Sequence, residues 1–187
     1  PDDVTLMWCD DNYGHITRLS NKEERQRKGG AGIYYHISYW GRPHSYLWLC
    51  TTAPAQIYYE MRRAWDYGAR KIWALNVGDI KPAEYDIEFF MDMAWNIDAI
   101  RPDNIYRHLH DFMSRTFTPQ SAQELTDIMN EYYYLANIRR PEFMGWSREE
   151  EYSKIKGGKT PVTDTEFSPE EIEQRITAYQ NLEKRVK

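Results

Sequence analysis

The amino-acid sequence predicts an α/β fold: the C-terminal part of a (β/α)8-type barrel over residues 1–100, followed by the start of an α-helical bundle over residues 101–187. Three observations predict it. Short apolar runs alternate with amphipathic stretches in the order β-α-β-α-β-α, the pattern of parallel strands joined by right-handed helical crossovers. Beyond Arg101 apolar residues recur at helical spacing with no strand run between them. Finally, three strand runs fall short of the eight that close such a barrel. The last helical stripe is still regular at Lys187, so both ends read as cut from a longer chain.

Val4 to Cys9 is almost continuously apolar and stops at Asp10-Asp11-Asn12-Tyr13-Gly14, which reads as a strand buried on both faces running into a loop. Ser20 to Lys28 is polar and helix-capable. Gly29-Gly30 breaks it, and Ala31 to Trp40, rich in Ile and Tyr, forms a second strand stopped by Gly41-Arg42-Pro43. Thr52 as N-cap and Pro54 in the first turn open a helix with the stripe Ile57, Tyr58, Met61, Ala64 and Trp65, stopped by Gly68. Lys71 to Val77 is the third strand. Pro82 then opens a helix carrying Tyr85, Phe89, Phe90, Met93 and Ile97 on one side.

In the second part, one helix carries Ile105, Leu109, Phe112 and Met113. Another, capped by Thr118 ahead of Pro119, carries Ala122, Leu125, Ile128, Met129, Tyr132 and Leu135. A polar, glycine-containing stretch at about residues 145–165 reads as a mobile loop. Ser168-Pro169-Glu170-Glu171 has capping-box spacing for a last helix striped by Ile172, Ile176, Tyr179, Leu182 and Val186.

Apolar residues at 41% and charged residues at 28% are enough for a packed core and argue against a disordered chain. A net charge of −5 supplies no basic footprint for a phosphate backbone, so nucleic acid is excluded as a partner. No apolar run approaches the ~18 residues needed to span a bilayer, so no membrane is expected either. The compartment stays open, export of a parent protein included. Cys9 and Cys50 lie in apolar runs and read as buried free thiols, since no second pair gives a disulfide framework or zinc spacing. Aromatic residues reach 15%, a content that suits sugar rings and also suits barrel interiors and helix interfaces.

In parallel α/β folds the loops after the strands' C-terminal ends face the site, which makes Asp10, Asp11 and Asn12 candidates; the same residues equally serve to cap a turn. The second strand adds His36, Ser38 and Trp40 on one face and Tyr35, Ile37 and Tyr39 on the other. His36 and Tyr39 near its end would lie close to the Asp10 loop of the neighbouring strand, with Arg42 and His44 just beyond. His108 and His110, two apart on a helix, cannot share a face, so no metal site is expected. Gly29 to Gly32 precedes a strand rather than a helix and lacks the geometry that binds phosphate, and no cofactor is expected.

Met7-Trp8-Cys9-Asp10-Asp11-Asn12-Tyr13-Gly14 and the run from Gly29 through Tyr34-Tyr35-His36-Ile37-Ser38-Tyr39-Trp40 to His44 together resemble glycoside hydrolase family 115. The likeness continues through Tyr46-Leu47-Trp48-Leu49 and Ile72-Trp73-Ala74-Leu75-Asn76-Val77 to about Trp95 and is looser beyond. It implies an α-glucuronidase that removes glucuronic or 4-O-methylglucuronic acid from xylan or xylo-oligosaccharides with inversion, in a multidomain homodimer whose barrel precedes a helical bundle. It also implies that Asp10 is a catalytic or orienting carboxylate and that Asn12, His36 and Tyr39 bind substrate. His15 departs from the aromatic residue expected there. Inverting hydrolysis needs a general acid and a general base. The second carboxylate would come from earlier barrel strands, so the isolated chain is expected to be inactive. The competing expectation, from a different class, is a non-catalytic carbohydrate-binding or interaction module.

Overall fold

The structure is a computed structural model that describes residues 1–11, 13–38, 50–140 and 167–186. Strands β1 (Leu6–Cys9), β2 (Ala31–His36) and β3 (Ala69–Asn76) form one parallel sheet in the order β1-β2-β3. The pairing runs Cys9 to Tyr34 on one side of β2 and Tyr34 to Ala74 on the other. Between Ala31 and Ile33 the β2–β3 register slips. Gly32 permits this, because a Cβ there would come within 2.5 Å of the Ile72 carbonyl oxygen. The expected third strand therefore begins two residues early, and the predicted Lys71–Val77 core of it is retained up to Asn76.

Period-two alternation divides the sheet into a covered and an open face. Ile33 and Tyr35 are fully buried, and Trp73 and Leu75 pack against the same core. On the other face Met7, Tyr34 and Ile72 are 45%, 37% and 49% exposed. This corrects the expectation that β1 is buried on both sides: Met7 and Cys9 point away from the helices, and the Cys9 thiol is free but exposed rather than buried. Cys50 is free and half-buried.

The helices are α1 (Pro54–Asp66), α2 (Glu84–Trp95), α3 (Ile105–Thr116), α4 (Ala122–Ile138) and α5 (Pro169–Val186). Ala53, not Thr52, precedes the first turn of α1, with Pro54 at its start; the Thr52 hydroxyl is turned to the Ile37 carbonyl instead, at 3.4 Å. The polar stretch before β2 gives only a 3-10 turn, Glu24–Gln26. Asn21 and Glu24 exchange capping hydrogen bonds there, but the extended backbone at Arg27 leads straight into Gly29-Gly30, leaving no room for a second turn. Ser121, not Thr118, immediately precedes the first turn of α4 and makes no side-chain cap bond; the Thr118 hydroxyl accepts from the Ser121 amide at 3.2 Å.

The α2 stripe Tyr85, Phe89, Phe90 and Met93 is buried as its spacing requires, and Ile97, expected on the same helix, is buried just beyond its end. Phe90 stacks on Tyr35 and tilts against Trp73, so α2 is seated on the covered face of the sheet. The same core continues into Leu109, Met113, Ala122 and Tyr133, across the boundary that the sequence predicts near residue 100. In α4, Ala122 and Ile128 of the expected stripe are buried, joined by Thr126, Tyr133 and Ala136, while Leu125, Met129, Tyr132 and Leu135 are half-buried. On α5 only Leu182 of the expected stripe is buried, and Ile172, Ile176 and Val186 are exposed. Arg175 takes the inner place, donating to the Leu135 and Arg139 carbonyls at the end of α4, where a cation complements the helix dipole. The Ser168 hydroxyl does accept from the Glu171 amide at 3.1 Å, as the capping spacing demands. Residues 145–165, expected as a loop, lie outside the described residues. Among those described, no helix is long and apolar enough to cross a membrane.

Candidate active site

β1 and β2 are neighbours, so their C-terminal ends bring Asp10 and His36 together. The His36 imidazole Nδ1 lies 2.5 Å from Asp10 Oδ1. Asp10 Oδ2 accepts from two backbone amides, Gly14 at 3.0 Å and His36 at 3.4 Å. The carboxylate has no exposed surface, and the His36 side chain is 8% exposed. A charged group taken from water this completely needs its lone pairs answered, and here donors from two chain segments answer both oxygens. Asp10 thereby fixes the His36 ring, while its own oxygens are turned inward.

The loop that carries Asp10 is held tightly. Asp11 Oδ1 accepts from the Tyr13 and His15 amides, at 3.0 and 3.1 Å, closing the turn. The Tyr35 hydroxyl donates to the Gly14 carbonyl at 2.9 Å. Gly14 has φ +81°, and a Cβ on it would lie 2.8 Å from both the Tyr35 hydroxyl and Gln56 Nε2. Only glycine fits both the backbone and the space. Burial, and then the nearby Asp10 and Glu60 carboxylates, push the Tyr35 phenol far above its ordinary range, so it stays protonated as a donor.

The support beneath the loop comes from α1. Glu60 is buried and accepts from the Ile16 amide at 3.2 Å and from Arg63 Nη2 at 2.7 Å. Gln56 Nε2 donates to the Tyr13 carbonyl at 3.0 Å. Neither residue was singled out from sequence, although a Glu set between the inward positions Ile57 and Ala64 is a legible signal of a buried polar contact. On the open face, Tyr34 tilts against the His36 ring with centroids 4.6 Å apart, and its hydroxyl accepts from Asn76 Nδ2 at 2.5 Å. Asn76 stands opposite His36 on β3 and extends the polar strand-end row to all three strands.

Of the sequence-predicted residues, Asp10 and His36 are thus in contact, whereas Asn12, Tyr39, Trp40, Arg42 and His44 lie outside the described residues. Among the described residues, one group of metal-type donors is not evident from sequence spacing: Glu88, Asp92 and His108 bring one donor atom each within 4.8 Å of one another. They were hidden because two come from α2 and one from α3. They already have partners: Glu88 pairs with Arg115, and Asp92 Oδ2 lies 3.0 Å from His108 Nε2.

The model of glycosyl hydrolase family 115 matches residues 1–143. Among solved structures, the chain is similar to a family GH115 4-O-methyl-alpha-glucuronidase, BtGH115A, with specificity for decorated arabinogalactans: identity is 52% and the TM-score 0.86 over 100% of this chain. The chain spans 24% of the length of that protein. No curated protein sequence matches.

Proposed function

Because this chain belongs to glycosyl hydrolase family 115, we propose that it forms one wall of the sugar pocket of an α-glucuronidase, which removes glucuronic or 4-O-methylglucuronic acid from a decorated polysaccharide with inversion. The observation that carries this reading is the buried Asp10–His36 pair at two adjacent parallel strand ends, beside a sheet face that no helix among the described residues covers. In a (β/α)8 barrel that face is the interior, and the strand C-terminal ends form the mouth where sites are built. His36, Tyr34 and Asn76 would then line the wall.

Asp10 is best suited to orienting His36, since both its oxygens are held by the protein. His36 is suited to the uronate or to a hydroxyl of the same sugar, and Asn12 and Tyr39 to further hydroxyls. An inverting mechanism sets a general acid and a general base roughly 6.5–9.5 Å apart across the sugar. On this reading the further carboxylates come from barrel strands outside this chain, the full-length protein is a homodimer, and the 187-residue chain by itself is inactive. This reading assigns only the wall that faces the uronic acid, and the main chain that carries the acid is recognised elsewhere.

The test uses a full-length family 115 protein that contains this chain, assayed for uronic acid release from decorated xylo-oligosaccharides and from decorated arabinogalactan oligosaccharides. His36→Ala and Asp10→Ala are each expected to lower kcat/KM by about 10–100-fold or more, with folding retained. Proton NMR is expected to show the β-anomer of the acid forming first. An active His36→Ala protein, or an α-anomer formed first, would sink the reading.

A further inference from the structure

We propose that Arg140 is a positioning residue for the Asp10–His36 pair, clamping both strand ends from the far end of α4. The inference rests on the site reading above and adds a residue to it. Arg140 lies two residues beyond α4 and is only 8% exposed. Its Nη1 donates to Gln56 Oε1 at 2.8 Å, and its Nη2 donates to the Thr52 hydroxyl at 3.4 Å. Each contact continues towards the pair.

Along the first arm, Gln56 Nε2 donates to the Tyr13 carbonyl at 3.0 Å, and the next residue, Gly14, donates its amide to Asp10 Oδ2 at 3.0 Å. Along the second, the Thr52 hydroxyl donates to the carbonyl of Ile37, the residue after His36, at 3.4 Å. One guanidinium therefore reaches the loop that carries Asp10 and the strand end that carries His36. These links bridge 84 and 88 residues of sequence, which is why no local pattern shows them.

The chemistry explains the choice of residue. A side-chain amide can be turned either way, and Gln56 must aim its NH2 at Tyr13. A cation against its other end forces the oxygen to that side, because the flipped amide would set donor against donor at Arg140 and acceptor against acceptor at Tyr13. Arg presents several donors in a rigid fork and can serve acceptors on two elements at once, whereas Lys is a point charge that reaches one of them well. The positive charge also sits among buried carboxylates: the Tyr35 hydroxyl feels Asp10 and Glu60 as anions and Arg140 as the opposing cation.

The experiment compares Arg140→Met, Arg140→Lys, Gln56→Leu and the Arg140→Met/Gln56→Leu double variant in the full-length protein, with His36→Ala alongside. Steady-state kinetics on a uronic-acid-decorated xylo-oligosaccharide are measured across pH. Arg140→Met is expected to lose about 10–100-fold, chiefly in kcat, the range found when an outer-shell partner is removed, and to displace the pH profile. Arg140→Lys should lose less, and the double variant no more than its worse single parent, because both changes break one arm. A kcat for Arg140→Met within about twofold of wild type, with an unmoved pH profile, overturns the proposal. Losses that multiply in the double variant overturn it too, since independent sites add in free energy. If Arg140→Met does not fold, Arg140→Lys is read by the same criteria. Activity surviving in His36→Ala would instead overturn the site reading, whereas an inactive His36→Ala beside a normal Arg140→Met would overturn this proposal alone.

Discussion

Replacing Asp86 with Asn will remove a pH dependence of stability that the wild-type chain carries. Asp86 sits on α2 with its side chain wholly buried, Oδ1 accepting from the Tyr133 hydroxyl at 2.8 Å and Oδ2 without a partner among the described residues. Burial pushes its pKa from 3.8 up to about 7, the Tyr133 hydrogen bond offsetting this in part. The folded chain therefore holds this proton at pH values where the unfolded chain has lost it. The associated stability is fully present below about pH 4, falls as the pH rises, and is lost once the pH passes about 7. At about 1.36 kcal/mol per pH unit, the interval from 3.8 to about 7 corresponds to roughly 4 kcal/mol.

Asn keeps the acceptor for Tyr133 and cannot ionise, but it sets an NH2 group where Oδ2 had no partner, a penalty of about 1–3 kcal/mol at every pH. The variant should thus be somewhat less stable than wild type at pH 4 and more stable at pH 8. Urea unfolding followed by tryptophan fluorescence at intervals across that range gives the difference directly. A wild-type-minus-variant difference that stays constant within about 1 kcal/mol from pH 4 to pH 8 would refute the reasoning.

Gly14→Ala should cost at least about 1–2 kcal/mol, because the residue must hold φ +81° with a Cβ 2.8 Å from the Tyr35 hydroxyl; a melting temperature equal to wild type contradicts this. Phe90→Ala should cost about 3–5 kcal/mol in chemical denaturation, since its fully buried ring joins Tyr35 to Trp73 and the space cannot readily collapse. Cys9 should be alkylated well before Cys50 in the 187-residue chain, as read by mass spectrometry, because Cys9 is exposed while burial pushes the Cys50 thiol up to about 12. In a full-length protein Cys9 should be protected if its sheet face lines a barrel interior; equal labelling in both would count against that placement.

Periodicity located the elements well where a single pattern governs burial. The α2 stripe is an example: Tyr85, Phe89, Phe90 and Met93 are all inside, since i, i+4, i+5 and i+8 share one helix face. It failed for β1, where six consecutive residues read as a strand buried on both sides although Met7 and Cys9 face outward. An apolar run does not say what covers its second face, and that cover is absent from the described residues. On α5 an Arg displaced part of the apolar stripe, because two carbonyls at the end of α4 needed a donor, which no count of apolar residues registers. At the site, Asp10 and His36 were legible because strand ends and loops concentrate function in parallel folds. The residues that hold them were not: Gln56, Glu60 and Arg140 come from α1 and from the end of α4, and their meeting depends on tertiary packing.

The way Asp10 divides its two oxygens makes its nearest isostere chemically opposite. In the wild type Oδ2 takes two backbone amides and Oδ1 takes the imidazole, so His36 must carry a proton on Nδ1 and, when neutral, has a lone pair on Nε2. An Asn at position 10 has one oxygen, which the amides of Gly14 and His36 would claim, and its NH2 would then face Nδ1. That nitrogen would have to become the acceptor, driving the proton to Nε2 and selecting the other tautomer, while the imidazolium form would lose its counter-charge. The volume of the side chain would hardly change, yet the far nitrogen of His36 would turn from a base into a donor.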